Sequence, residues 1–338
     1  MLIQKKRACP AAIVVLRYFR SLAEIHWTLS PDALHVVDLG DALGHPFEYI
    51  TVTDDTGTSH FDLSTLEFHG EFNKFACQRG QWTDDASMGL CMADSFILRR
   101  GFDGSDMRKR FWCWWFRGYN NAFRKDTARS SKKSIGLGGN TQKSLEPLDA
   151  FADGGQGGKQ VEGQVQFDAS CLVGDVPPVY DSASEDAGNG SLMRLVTSSP
   201  ARETERCWNW KHETLDIAGT LAARGWSYNG YPVSADYFGS YSWPSCSDWL
   251  DGLAGALWAV YHSRSFDEAV VRAVNLNGDA DSFGSMAGQI AGAFYGFSAI
   301  NKQFVEWLSR WDDHETAVRA LLLFKIGADV EKTRGRDE

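Results

Sequence analysis

The chain has 338 residues, 43% of them hydrophobic, and a formal net charge of −10, enough to build one large domain or two ordinary ones. The acid excess, with no Lys/Arg-rich stripe, excludes a nucleic-acid-binding surface, and no apolar run reaches the roughly 18 residues that a membrane-spanning helix needs. Seven cysteines, an odd and scattered set without a C-x-x-C pair, read as reduced intracellular thiols.

Residues 1–35 mix apolar and basic side chains and read as one helix. Lys5, Lys6, Arg7, Arg17 and Arg20 precede the first acid, Glu24, a composition that leaves an organellar transit peptide as the alternative to the expected cytoplasmic location. Gly40-Asp-Ala-Leu-Gly-His-Pro-Phe-Glu48 carries two glycines, a proline and two acids around an apolar pair, and its plain reading is a turn. In Gly80-Gln-Trp-Thr-Asp-Asp-Ala-Ser-Met88 the spacing of Met88, Cys91, Met92, Ser95, Phe96 and Leu98 predicts an amphipathic helix beginning near Asp85, with Thr83 or Asp84 as its N-cap. Two adjacent carboxylates and a hydroxyl exceed what a cap requires, and their repulsion is better explained by a cation between them.

The aromatic run at residues 111–126 reads first as a tryptophan-rich core helix, with a stacking wall for a base as the alternative. Ile135-Gly-Leu-Gly-Gly-Asn-Thr141 is a Gly-rich loop whose backbone is free to approach an anion. Residues 151–190 lack apolar periodicity and read as a surface excursion, ending in Asn189-Gly-Ser-Leu-Met-Arg194. Helices are predicted at 212–223, stopped by Arg224-Gly225, and at 250–262. Another follows the Ser265-Phe-Asp-Glu268 capping box, and residues 301–324 predict one or two more. No alternating strand run is found, and the elements sum to a single all-α domain.

Between the last two of these regions lies Asn275-Leu-Asn-Gly-Asp-Ala-Asp-Ser-Phe-Gly284. Within a helix, the two-residue spacing of Asp279 and Asp281 would turn their side chains roughly 200° apart, so convergence requires a non-helical turn, which Gly278 permits. Gly284, Gly288, Gly292 and Gly296 then recur every four residues, a stripe against which another backbone can lie closely. Thr83-Asp84-Asp85 and Asp279-x-Asp281-Ser282 thus form two hydroxyl-plus-carboxylate sets, oxygen-only ligands of the kind that hard divalent cations take.

At Gly40-Asp-Ala-Leu-Gly44, Thr83-Asp-Asp-x-x-Met88, Gly190-Ser-Leu-Met-Arg194 and Asn275-x-x-Gly-Asp-x-Asp-Ser-x-Gly284 the chain resembles the ADP-ribosylglycohydrolase family. That resemblance implies a compact, orthogonal helical domain with a dinuclear Mg²⁺ centre, Mn²⁺ being a possible substitute, that cleaves a glycosidic bond of ADP-ribose. Carried over by position, Thr83, Asp84, Asp85, Asp279, Asp281 and Ser282 would hold metal, and Glu48, Asp85 or Asp281 would supply acid–base catalysis. Gly138, Gly139 and Asn140, with Asn189, Gly190, Ser191 and Met193, would line the ligand, and Tyr241, Trp243 and Trp249 are the candidates for stacking on adenine.

The implied partner is an ADP-ribosylated protein, most simply at arginine, with serine-linked or small-molecule ADP-ribose as other choices; a monomer is expected. The expected layout is an N-terminal extension at 1–37, a domain at 38–326 with a surface insertion at 151–188, and a disordered tail at 327–338. Ser282, Ala86, Ala280 and Asn277 depart from the commoner residues without removing a carboxylate. The segment 1–39 and the short stretch between Met193 and Leu253 depart further, and leave a non-catalytic ADP-ribose-binding relative as the alternative.

Overall fold

The computed structural model describes residues 33–50, 61–152, scattered positions between 160 and 193, and 249–334. The helix predicted at 212–223, along with Tyr241 and Trp243, lies outside the described residues, as do Asn189 and Ser191. Nine α-helices are found among the described residues: α1 Ala33–Gly44, α2 Asp84–Arg99, α3 Gly104–Arg117, α4 Gly139–Leu145, α5 Trp249–Tyr261, α6 Phe266–Val274, α7 Ala280–Tyr295, α8 Lys302–Asp312 and α9 Glu315–Arg334. The one sheet among them is a two-residue antiparallel hairpin, β1 Phe61–Asp62 with β2 Glu67–Phe68, so the all-α expectation holds.

At the centre α1 lies against α7; α5 and α6 also pack on α7, and α2 packs on α1. The glycines dictate this pairing. A Cβ at Gly284 would collide with the backbone of Gly40, one at Gly288 with the carbonyl of Val36, and one at Gly292 with the Val36 side chain. The approach is reciprocal, because a Cβ at Gly40 would collide with the backbone of Gly284, and one at Gly44 with that of Ala280 and Asp281. Gly40 and Gly44 therefore belong to a helix rather than to the turn suggested by local composition. The local glycine signal reports a helix–helix contact, and the chain bends only at the following 3₁₀ turn His45–Phe47. Gly296 leaves the stripe, since it terminates α7 with φ +78°. Gly284→Ala is expected to destabilise the fold by about 3 kcal/mol through overpacking at this backbone contact, read as a lowered urea midpoint; a loss within about 0.5 kcal/mol would contradict the close approach.

Other local expectations hold for the stated reasons. The Ser265 side chain accepts from Glu268 N–H at 3.1 Å, and Glu268 answers by accepting from Arg264 N–H at 2.9 Å, which fixes the start of α6. The 301–324 region is two helices, separated where Asp313 and His314 take left-handed backbone; Asp312 caps the second by accepting from His314 and Thr316 N–H. α9 docks on α1 through Thr316 Oγ1, which donates to the buried Asp38 at 2.7 Å, and continues past residue 326 to Arg334. The aromatic run takes its core reading: Trp112 and Trp114 on α3 are fully buried, in a cluster with Met88 and Leu148. Among the described residues no helix is long and apolar enough to cross a membrane.

Candidate active site

The acids converge where α1 and α7 end and begin. Asn277 and Gly278 both adopt left-handed backbone, φ 63° and 66°, which turns the chain so that Asp279 stands outside α7 as its N-cap while Asp281 lies in the first turn. The adjoining turn at residues 48–50 is stitched to this one, Tyr49 N–H donating to Gly278 O at 2.9 Å and Gly278 N–H to Ile50 O at 3.0 Å. That pairing carries Glu48 to the acidic turn. Carboxylate oxygens of Glu48, Asp279 and Asp281 lie within 4.8 Å of one another, and all three residues are buried. Asn275, at the head of the motif, anchors the hairpin instead, exchanging hydrogen bonds with Phe61 N–H and O at 2.8 and 3.0 Å.

The second acidic set meets the first through Asp281. Thr83 Oγ1 is 3.5 Å from Asp281 Oδ2, and the Asp281 charge acts on both Asp85 and Asp41. Thr83 holds the N-cap position of α2, which begins at Asp84, but its hydroxyl makes no cap. It donates to Asp41 Oδ1 at 2.9 Å, and Asp41 also accepts from Thr83 N–H at 3.0 Å and from Ala86 N–H at 2.9 Å. The cap on α2 is thus a carboxylate from α1, a role invisible to local pattern because it joins segments 42 residues apart. The available signal was a pair of acids, Asp38 and Asp41, set among Val36, Val37, Leu39, Ala42 and Leu43, all of them buried.

Buried close together, these carboxyls raise one another's pKa. Burial, then the Asp281, Asp279 and Asp84 charges, push Glu48 up to about 12. Burial, followed by the charges of Asp281 and Asp41, raises Asp85 well above the usual carboxylate range, and burial raises Asp281 despite its hydrogen bonds. Glu48 Oε2 and Asp85 Oδ1 are buried without a hydrogen-bond partner. Orphaned acceptor atoms in an all-oxygen cluster fit a hard divalent cation.

The ligand-loop residues are more dispersed. Gly136, at φ +88°, lies directly over the Asp84 carboxylate, where a Cβ would collide, and so brings the Gly-rich loop to the acids. Gly138, Gly139 and Asn140 follow it into solvent at the start of α4. Gly190 is half-buried. Met193 is buried: the Ser282 hydroxyl points to its sulfur at 4.0 Å, and Gln289 Nε2, which sequence reading missed, donates to its carbonyl at 2.7 Å.

A helical domain that gathers acids from two distant loops into one buried place defines a carboxylate-centred site suited to a hard cation. The family model described as ADP-ribosylglycohydrolase matches residues 33–206 and 200–329, and the chain belongs to that family, by class a hydrolase of glycosidic bonds. It is 27% identical over 322 residues to the ADP-ribosylarginine hydrolase Tri1 of Pseudomonas putida, covering 83% of this chain and 74% of that protein. To the ADP-ribosyl-[dinitrogen reductase] glycohydrolase of Rhodospirillum rubrum it is 22% identical over 279 residues, covering 81% and 87%. A solved structure titled ADP-ribosylglycohydrolase-related protein complex superposes with a TM-score of 0.52 at 25% identity, covering 88% of this chain and 97% of that one.

Proposed function

We propose that the chain is a Mg²⁺-dependent hydrolase that releases ADP-ribose from arginine side chains of proteins, using two cations for which Mn²⁺ can substitute. The observation that carries this reading is the buried meeting of Glu48, Asp279 and Asp281. Thr83, Asp84 and Asp85 would hold the cations from one side, and Asp279, Asp281 and Ser282 from the other. Divalent cations bound there would supply polarisation of the distal ribose hydroxyls and a lowered pKa for water. The choice of arginine is supported by the names of the two Tri1 relatives, the second from Serratia proteamaculans at 26% identity.

Each group of the chain has a distinct task in this reading. The backbone of the Gly136–Asn140 loop, open to solvent beyond Leu137, would offer N–H groups to the phosphates, with Asn189, Gly190 and Ser191 as the further donors that the family resemblance implies. Glu48, Asp85 and Asp281 are the carboxyls that assist departure of the acceptor, which needs a proton as the glycosidic bond breaks. Glu48 suits the donor role, because it enters from a separate segment, is not among the residues assigned to the cations, and is pushed up to about 12 by burial first and then by the Asp281, Asp279 and Asp84 charges.

Purified protein given arginine-, serine- and acetyl-linked ADP-ribose, with Mg²⁺ or with chelator, tests this. Release from the arginine substrate is expected only with Mg²⁺, and is expected to be lost in a variant carrying Asp84→Ala and Asp281→Ala. Binding of ADP-ribose by calorimetry without release from any of the three substrates would overturn the reading in favour of a non-catalytic relative.

A further inference from the structure

We infer that Asp41 is a positioning residue of this site, aiming the Thr83 hydroxyl hydrogen away from the acidic centre so that the oxygen's lone pairs face a cation. The inference rests on the metal-dependent reading above and adds to it a residue outside the ligand set. A hydroxyl has one hydrogen and two acceptor lone pairs, so it can ligate a cation only if its hydrogen is directed elsewhere. Two acceptors are within reach of Thr83 Oγ1: Asp41 Oδ1 at 2.9 Å and Asp281 Oδ2 at 3.5 Å. Donation to Asp281 would occupy an oxygen that the centre needs and would point the hydrogen into it. Donation to Asp41 leaves both residues free to face inward.

Three features suit Asp41 to this. It is fully buried, so water does not compete for the hydroxyl. Both its oxygens are engaged by the 83–86 segment alone, Oδ1 by Thr83 N–H and Oγ1–H and Oδ2 by Thr83 and Ala86 N–H, which leaves the carboxylate no freedom to rotate. Its helix is also locked to α7, where Gly44 meets Ala280 and Asp281. The same helix therefore sets the position of Asp281 by backbone contact and that of Thr83 by hydrogen bonds. An amide at residue 41 must turn an N–H₂ toward at least one of these donors.

Asp41→Asn is expected to raise the Mg²⁺ concentration giving half-maximal turnover by about 10- to 100-fold, the usual effect of losing an outer-layer partner, with most of kcat recovered at saturating Mg²⁺. Mn²⁺ binding followed by electron paramagnetic resonance should weaken by a similar factor, and the effect should shrink to within about twofold in a Thr83→Val background, where there is no hydroxyl to aim. An Asp41→Asn protein that melts earlier but binds Mn²⁺ as the wild type does, or whose binding defect is equally large beside Thr83→Val, overturns the inference and leaves Asp41 a helix cap. Should Asp41→Asn not fold, neutron diffraction from Mg²⁺-loaded wild-type crystals reads the same point: hydrogen toward Asp41 supports it and hydrogen toward Asp281 overturns it. A wild type that neither binds Mn²⁺ nor depends on Mg²⁺ overturns instead the functional reading on which this rests.

Discussion

Asp281→Asn is expected to lower kcat/KM on ADP-ribosyl-arginine by roughly a thousandfold, about 4 kcal/mol of transition-state stabilisation, while leaving the protein folded. Asp281 is the point at which the two acidic sets touch: Thr83 approaches it at 3.5 Å, Glu48 and Asp279 share its cluster, and its charge acts on Asp85 and Asp41. Asparagine preserves the shape and can still accept from Ser282 N–H, the bond that Asp281 Oδ1 makes at 2.9 Å. What it removes is a negative charge and one cation-binding oxygen at the centre of the proposed site. Because the metal-free cluster is self-repelling, the variant should melt at or above the wild-type temperature in chelator. Turnover above a tenth of wild type would remove Asp281 from the catalytic centre, and a lowered melting temperature would show that its charge is balanced in a way the cluster does not reveal.

Stability in chelator is expected to fall as pH rises from about 5 to 9, and Mg²⁺ is expected to flatten or reverse that trend. The sign follows from the raised carboxyls. Glu48, pushed up to about 12, with Asp85 and Asp281 shifted the same way, keeps its proton in the folded metal-free protein at pH values where the unfolded chain has released it. The folded state then binds more protons than the unfolded one. This stabilisation is complete below the unfolded carboxylate range and is lost as pH climbs toward the folded values, with a limiting slope of about 1.4 kcal/mol per pH unit for each proton retained. A cation competes with those protons, so loading the site removes the slope and stabilises most at high pH. Urea midpoints measured across this range with chelator and with Mg²⁺ decide the matter. Rising stability with pH in chelator would mean that the acids are ionised and balanced without metal.

Much of the helical plan was legible because its causes are local. The Ser265–Glu268 box starts α6, the amphipathic spacing after Thr83 marks α2, and Asn277 and Gly278 make the turn anticipated at Gly278. The glycine stripe correctly announced a close backbone neighbour, but its partner was not identifiable, since nothing in one helix states which other helix fits it. The turn read over Gly40–Glu48 holds only from His45 on, for the same reason: Gly40 and Gly44 answer the backbone of α7. Trp112 and Trp114 took the core reading over the stacking one, as buried apolar area favours.

The sequence by itself offered the hydroxyl-and-carboxylate sets at 83–85 and 279–282 as candidates for a hard cation, because those sets are a matter of residue type and spacing. Only the tertiary structure decided how they meet. Glu48 joins Asp279 and Asp281 because Tyr49 and Ile50 pair with Gly278, and Asp41 governs Thr83 because α1 packs backbone to backbone on α7. Both depend on contacts between segments far apart in the chain, and a hydrogen bond or a glycine contact of that kind leaves no periodic mark in either segment alone.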